Sequence, residues 1–283
     1  MIALVWLIPP LLFFWQDIAA LSSQGAQAMR EKRFAEAARL YRELATRDTA
    51  NPMWHLNLGM ALQSSGEPMA ALAELGVFLK ARPAPGPAHL LAGMAHLKLT
   101  QPCEAIEPLE KARQWQASAQ VLVELGDAYY GCQRWEPAAE AYQGAARLTP
   151  RDTRLARQAA RCWWLARQYA KARPLFVSVA TAFASDADFQ FEFGDTLVRL
   201  EGAAAGLARL EKAAAAAPGL LPARGALGKV LMDLQRAADA VPHLEAASAE
   251  DPSLLLPLSQ AYKSTGRAED AARALADYRT RVK

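Results

Sequence analysis

Apolar side chains return every three to four residues along most of the chain, the spacing that lays one apolar stripe along an α-helix. A longer beat runs through that stripe. Small residues stand at Gly25, Gly59, Gly93, Gly126, Ala160, Gly194, Gly228 and Ser259, at intervals of 34, 34, 33, 34, 34, 34 and 31 residues. Twelve residues after each comes a second small residue: Ala37, Ala71, Ala105, Ala138, Ala172, Gly206, Ala240 and Ala271. Four further on the position is always large and apolar: Tyr41, Leu75, Leu109, Tyr142, Phe176, Leu210, Leu244 and Leu275. Between the two small positions lies a break, as in Ser-Ser-Gly-Glu at 64–67 and Ser-Thr-Gly-Arg at 264–267.

Each unit therefore predicts a helix, a short turn and a second helix, with a proline near the end of the second in several units (Pro83, Pro150, Pro218, Pro252). Where two helices cross closely only a small side chain fits, and large neighbours fill the volume beside it. A single hairpin cannot bury its stripe, whereas eight stacked hairpins share a continuous core.

Composition agrees. Of 283 residues, 62 are Ala, hydrophobic side chains make up 52% and aromatic ones only 8%, which suits closely approaching helices. The balance of 32 basic against 29 acidic residues leaves a formal charge of +3, too little single-sign field to draw in polyphosphate or anionic lipid.

The units resemble tetratricopeptide repeats, in which a Trp/Leu, Leu-Gly, Tyr pattern on helix A precedes Ala, Phe/Tyr, Ala and Pro on helix B. The fullest match is Leu-Gly-Asp-Ala-Tyr at 125–129 with Trp-Glu-Pro-Ala-Ala-Glu-Ala-Tyr at 135–142 and Pro150. The resemblance implies an all-α fold, a right-handed α-solenoid of about eight helix-turn-helix units beginning near residues 18, 52, 86, 119, 153, 187, 221 and 252. Two departures stand out. Gly206 replaces the helix-B alanine of the sixth unit, and the junction before the eighth is three residues short, so looser packing or a bend is expected there.

Residues 1–15 (MIALVWLIPPLLFFW) carry no charged side chain and stop about five short of the ~20 apolar residues a membrane span needs. They read as the core of a signal peptide over 1–20, leaving a solenoid at 21–283 with no transmembrane span, in the periplasm or secreted. No Lys or Arg precedes Arg30 and the cleavage site Ile18-Ala19-Ala20 opens poorly, so a cytoplasmic chain is the alternative. The competing reading, an N-terminal helix packed on the first repeat, conflicts with Pro9-Pro10.

No nucleophile with its base, phosphate loop or ligand set stands out, so neither enzyme activity nor a cofactor or metal is expected. His55 and His89 share one position of adjacent A helices, and ordinary hydrogen-bonded packing is favoured over a metal pair. Cys103, Cys132 and Cys162 read first as buried apolar filling. Cys103 and Cys132 sit at helix ends on one rim, and a bridge there requires Cα atoms within about 7 Å.

In such a solenoid the second, fifth, ninth and twelfth positions of helix A face the concavity. Met53, Leu56, Met60, Gln63, Leu90, Met94 and Leu97 then form an apolar shelf, adaptable to a bound peptide, though the same spacing also suits core. Further on, Arg154, Arg157, Arg161 and Trp164 face inward. Carboxylates flank them on both sides (Glu124 and Asp127; Asp188, Glu192 and Asp195), so exposed ion pairs, Arg161 with Asp127 or Asp195 and Arg154 with Asp188, are favoured over an anion clamp. Phe191 and Trp164 beside those charges suit a polar peptide. Some family members grip a partner's C-terminal carboxylate with a Lys/Asn/Arg clamp; here Asn57 matches, but Ser22, Ala26, Pro87 and Leu91 occupy the other positions. The expectation is a scaffold or assembly module that binds a protein or peptide through Met53, Leu56, Met60, Leu90, Met94, Leu97, Asp127, Arg157, Arg161, Trp164, Phe191 and Asp195. The alternative is single-stranded nucleic acid on the Arg154/Arg157/Arg161/Trp164 face, against which the charge balance argues.

Overall fold

The computed structural model describes residues 10–83 and 85–282. Among these, sixteen α-helices follow one another with no strand. The chain divides into two compact units, residues 1–148 and 149–283, each of four helix hairpins.

The first unit pairs α1 (Pro10–Arg30) with α2 (Phe34–Arg47), α3 (Met53–Ser65) with α4 (Pro68–Ala81), α5 (Gly86–Lys98) with α6 (Pro102–Trp115), and α7 (Ala119–Gly131) with α8 (Trp135–Leu148). The second pairs α9 (Thr153–Leu165) with α10 (Tyr169–Val179), α11 (Ala187–Glu201) with α12 (Ala203–Ala216), α13 (Leu221–Asp233) with α14 (Ala237–Ala247), and α15 (Leu255–Ser264) with α16 (Ala268–Arg281). Within each unit every helix packs on its neighbours in sequence, and the first helices of successive hairpins also touch, as α3 with α5 and α11 with α13. The fold is the all-α stack of helix-turn-helix units that the 34-residue beat implies.

The beat has a direct steric cause. A methyl group placed on Gly93 would lie 2.3 Å from Leu109 Cγ, one on Gly126 2.6 Å from the Tyr142 ring, and one on Gly228 2.6 Å from Leu244. The small residue of helix A is the socket for the large residue sixteen positions on, so the two periodic series are two sides of one contact. Leu75, Leu109, Phe176, Leu210 and Leu244 are fully enclosed as a result.

A third series appears only in the backbone. Each turn between the helices of a hairpin passes through positive φ, at Lys32, Gly66, Thr100, Gln133, Arg167, Gly202, Gln235 and Gly266. Five of these eight are not glycine, although a side chain there costs free energy. The next amide closes the helix end: Arg134 N–H donates to Tyr129 O at 2.8 Å and Gln168 N–H to Trp163 O at 2.8 Å.

The two expected weak points differ from the sequence reading. A methyl on Gly206 would sit 2.4 Å from Gly194 O and 2.4 Å from Val198 Cγ2, so α11 and α12 cross backbone to backbone and the glycine marks tight packing, not loose. The short junction before the eighth unit is taken up by one 3₁₀ turn, Pro252–Leu254, ahead of α15, because three residues per turn advance the chain faster than an α-turn.

Of the expected leader, residues 1–9 lie outside the described residues. Residues 10–20 are the first turns of α1, and Ile18 is buried in the cluster that holds Tyr41, Leu44 and Trp54. Pro10 opens α1 and so leaves no helical hydrogen bond missing. Among the described residues no helix is long and apolar enough to cross a membrane.

The cysteine reading is also corrected. Cys103, exposed at the start of α6, and Cys132, at the end of α7, form a disulfide with Cα atoms 5.5 Å apart. Only Cys162 is buried. The rims approach because Gly131 packs against Pro102, where a methyl would come within 2.6 Å.

Candidate functional site

In the second unit the first helices of consecutive hairpins, α9, α11 and α13, lie side by side with the 3₁₀ turn beyond them. Between them opens a groove of about 940 Å³. Its apolar wall is Trp164 from α9 and Phe191 and Val198 from α11, and its floor is Gly225 and Ala226 from α13. Asp152 and Asp186 start α9 and α11 by accepting from Arg154 N–H (3.1 Å) and Phe189 N–H (2.8 Å), which offsets unpaired amides at each helix start. Behind the groove, Phe176, Phe189 and Phe193 pack with centroids 5.4–6.0 Å apart, and Arg209 lies 3.8 Å over Phe193.

Three of the inward residues expected from sequence meet here. Trp164 and Phe191 make an edge-to-face pair at 5.7 Å, and Trp164 Nε1–H donates to Asp195 Oδ2 at 2.8 Å. Asp195 also takes Arg199 Nε–H at 3.3 Å. The indole is thereby fixed with one face toward the groove, so little side-chain entropy is left to lose on binding.

The three arginines behave differently from the expected exposed pairs. Arg157 is buried at 8% exposure and meets Glu192, itself 2% exposed, at 3.4 Å, with Asp186 at 3.6 Å. Arg161 reaches Glu192 at 3.1 Å, not Asp195. Arg154 turns back onto Asp152 at 2.9 Å and does not meet Asp188. Helix periodicity explains the error: Glu192 follows Phe191 by one residue and so points about 100° away, into the α9–α11 seam, where it draws both guanidiniums inward. Burial pushes the Glu192 carboxyl up to about 7, against the opposing pull of Arg157 and then Arg161.

Residues of the first unit fall elsewhere. Met53 and Leu56 line a separate apolar hollow of about 720 Å³ with Phe78, Pro83, Pro87 and Trp115. Trp115 is 59% exposed and its ring covers Gly86, where a methyl would clash at 2.5 Å. Met60 is exposed, Leu56 is buried, and Leu90, Met94 and Leu97 are half-buried. Gln120 Nε2 donates to Met94 Sδ at 3.7 Å, and Lys98 Nζ donates to Gln63 O at 2.8 Å. Asp127 accepts a short hydrogen bond from the Tyr142 hydroxyl. Desolvation raises Asp127 and, reinforced by the Asp127 charge, Glu124 as well. His55 Nδ1 pairs with Glu74 at 2.7 Å and His89 Nε2 with Pro83 O at 2.9 Å. Among the described residues no cluster suited to a metal ion occurs.

Sequence reasoning passed over Pro222, Gly225 and Lys229, the second, fifth and ninth positions of the seventh unit, which the same register rule would have found. Arg167, Glu250 and Asp251 lie in turns, beyond the reach of any helix register.

These hairpins, small residues socketing large ones at a fixed beat, define a helical-repeat protein. Residues 225–281 match the tetratricopeptide repeat family, and the fold of the chain is similar to that of tetratricopeptide-repeat proteins. Solved structures share the fold. YrrB, described as a TPR protein with an unusual peptide-binding site, is 22% identical with a TM-score of 0.59, over 66% of this chain and 97% of its own. A tetratricopeptide repeat protein from Parabacteroides merdae ATCC 43184 is 13% identical with a TM-score of 0.52, over 87% and 99%. MamA from MSR-1 is 21% identical with a TM-score of 0.51, over 58% and 95%. No curated protein matches in sequence.

Proposed function

We propose that the chain is a non-enzymatic scaffold that binds a segment of another polypeptide in the groove of its second unit. The observation that carries this reading is the fixed Trp164–Phe191 pair lining, with Ala226, a groove of about 940 Å³. Rigid aromatic walls receive the side chains of an extended chain at low entropic cost. Among solved neighbours, YrrB is described as having a peptide-binding site, which supports a peptide as the ligand class. The arginines required by the nucleic-acid alternative are committed to Glu192, Asp186 and Asp152, which weighs against it.

The test is selection of peptides from a random display library on the full chain, followed by titration of the winners against wild type and Ala226→Arg. The reading expects binders that lose at least tenfold in affinity when arginine fills the floor. Binders indifferent to Ala226→Arg would move the site elsewhere.

Export to an oxidising compartment is proposed alongside, supported by the residue 1–15 run and by the Cys103–Cys132 bridge. N-terminal sequencing of the mature protein tests it. An intact Met1 together with reduced cysteines in the native protein would refute it.

A further inference from the structure

The groove of the second unit is electrically polarised along the direction in which its helices stack. Arg167, in the turn after α9, and Arg199, on α11, stand at one end against the single carboxylate Asp195. At the other end Asp233 closes α13, and Glu250 and Asp251 precede the 3₁₀ turn, against the single ammonium of Lys229. The α9–α11 side therefore carries an excess of one positive charge and the α13 side an excess of two negative ones. Asp195 is further occupied by Trp164 Nε1–H and Arg199. Among the described residues no ion pair holds Arg167, Lys229, Asp233 or Glu250. Between the two ends the surface is apolar: Trp164, Phe191, Val198 and Ala226.

Resting on the reading of this groove as a peptide site, we propose that its ligand is an extended peptide with oppositely charged ends. An acidic end lies over Arg167 and Arg199, an apolar centre on Trp164 and Phe191, and a basic end against Asp233 and Glu250. Helices pack about 8–10 Å apart, so three A helices and the following turn span roughly 25 Å, which an extended chain covers in about eight residues. A strand crossing the helices alternates its side chains. One set enters the groove over Ala226, beside Trp164 and Phe191, while the other faces solvent. A uniformly acidic or uniformly basic segment would gain at one end and be repelled at the other. The exclusion of wrong partners thus comes from the ends, and the apolar centre supplies the common affinity.

Three labelled synthetic octapeptides with one Leu-Phe-Ala-Leu centre test this by fluorescence anisotropy on the full chain. One carries two Glu before the centre and two Lys after it, one Glu at both ends, and one Lys at both ends. The opposed-end peptide is expected to bind about tenfold more tightly than either uniform peptide at low salt, with the margin shrinking as salt is raised. In the double variant Asp233→Lys, Glu250→Lys, whose sites are both exposed, the preference should pass to the peptide with two acidic ends. Equal affinity for all three peptides, lost in Ala226→Arg, would overturn the polarity and leave the groove reading standing. Binding of none of them, or binding unaffected by Ala226→Arg, would overturn the polarity and count against the groove reading itself. Helix content by circular dichroism, unchanged in the variants, keeps misfolding out of the comparison.

Discussion

Gly206→Ala adds one methyl group to the α11–α12 crossing, 2.4 Å from Gly194 O and 2.4 Å from Val198 Cγ2. An ordinary contact needs close to 3.4 Å or more, so the helices must separate by about 1 Å or the carbonyl must tilt out of its own helix. Neither is easy, since Gly194 also sockets Leu210, a fully enclosed side chain. Overpacking of this kind costs about 1–3 kcal/mol, while replacing glycine by alanine in a helix returns up to about 1 kcal/mol. The gain is at the low end here because Gly206 is the fourth residue of α12. A net loss of about 1–2 kcal/mol follows. Gly76→Ala is the internal control: it is the same change inside α4, with nothing within 4 Å of the new methyl, and it should stabilise by about 0.5–1 kcal/mol. Urea unfolding followed by far-ultraviolet circular dichroism reads both. If Gly206→Ala is as stabilising as Gly76→Ala, the backbone crossing does not exist and the explanation of the beat by steric sockets fails at this unit.

Thr100 is β-branched yet holds φ at +56° in its hairpin turn, so Thr100→Gly should raise stability by about 1 kcal/mol; an unchanged or lower midpoint in the same urea titration contradicts that strain. The Glu192 carboxyl keeps its proton up to about pH 7 when folded, against an ordinary value of 4.5. Its contribution is therefore complete below about pH 4.5 and lost as the pH rises through 7, about 3 kcal/mol in all. Glu192→Gln removes that slope, so the stability of the variant relative to wild type should improve by about this amount from pH 5 to pH 8; a pH-independent difference refutes it. Cys103→Ser opens a bridge between residues 29 apart and should cost about 3–4 kcal/mol by loop entropy, measured under non-reducing conditions and absent when both proteins are reduced.

The phase of small and large residues is a local property, repeated eight times, and sequence alone carries it. Gly93 and Leu109 can be paired without coordinates because a crossing of two helices admits one solution at that spacing. The helix starts near 86, 119, 153, 187 and 221 follow from the same beat, and so does the placement of Trp164, Phe191 and Asp195 on one face. What tertiary structure alone decided are the competitions between neighbours. Arg157 and Arg161 had carboxylates on both sides, and only the direction of Glu192 into the α9–α11 seam selected their partner. Gly206 read as a flaw because a single sequence does not reveal that a backbone, Gly194 O, occupies the space its side chain would take. Arg167, Glu250 and Asp251 reach the groove from turns, whose directions depend on how hairpins stack, and helix periodicity has no hold on them. Sequence determines contacts within a period; which of several satisfied alternatives is realised depends on distances between periods, and those exist only once the helices are packed.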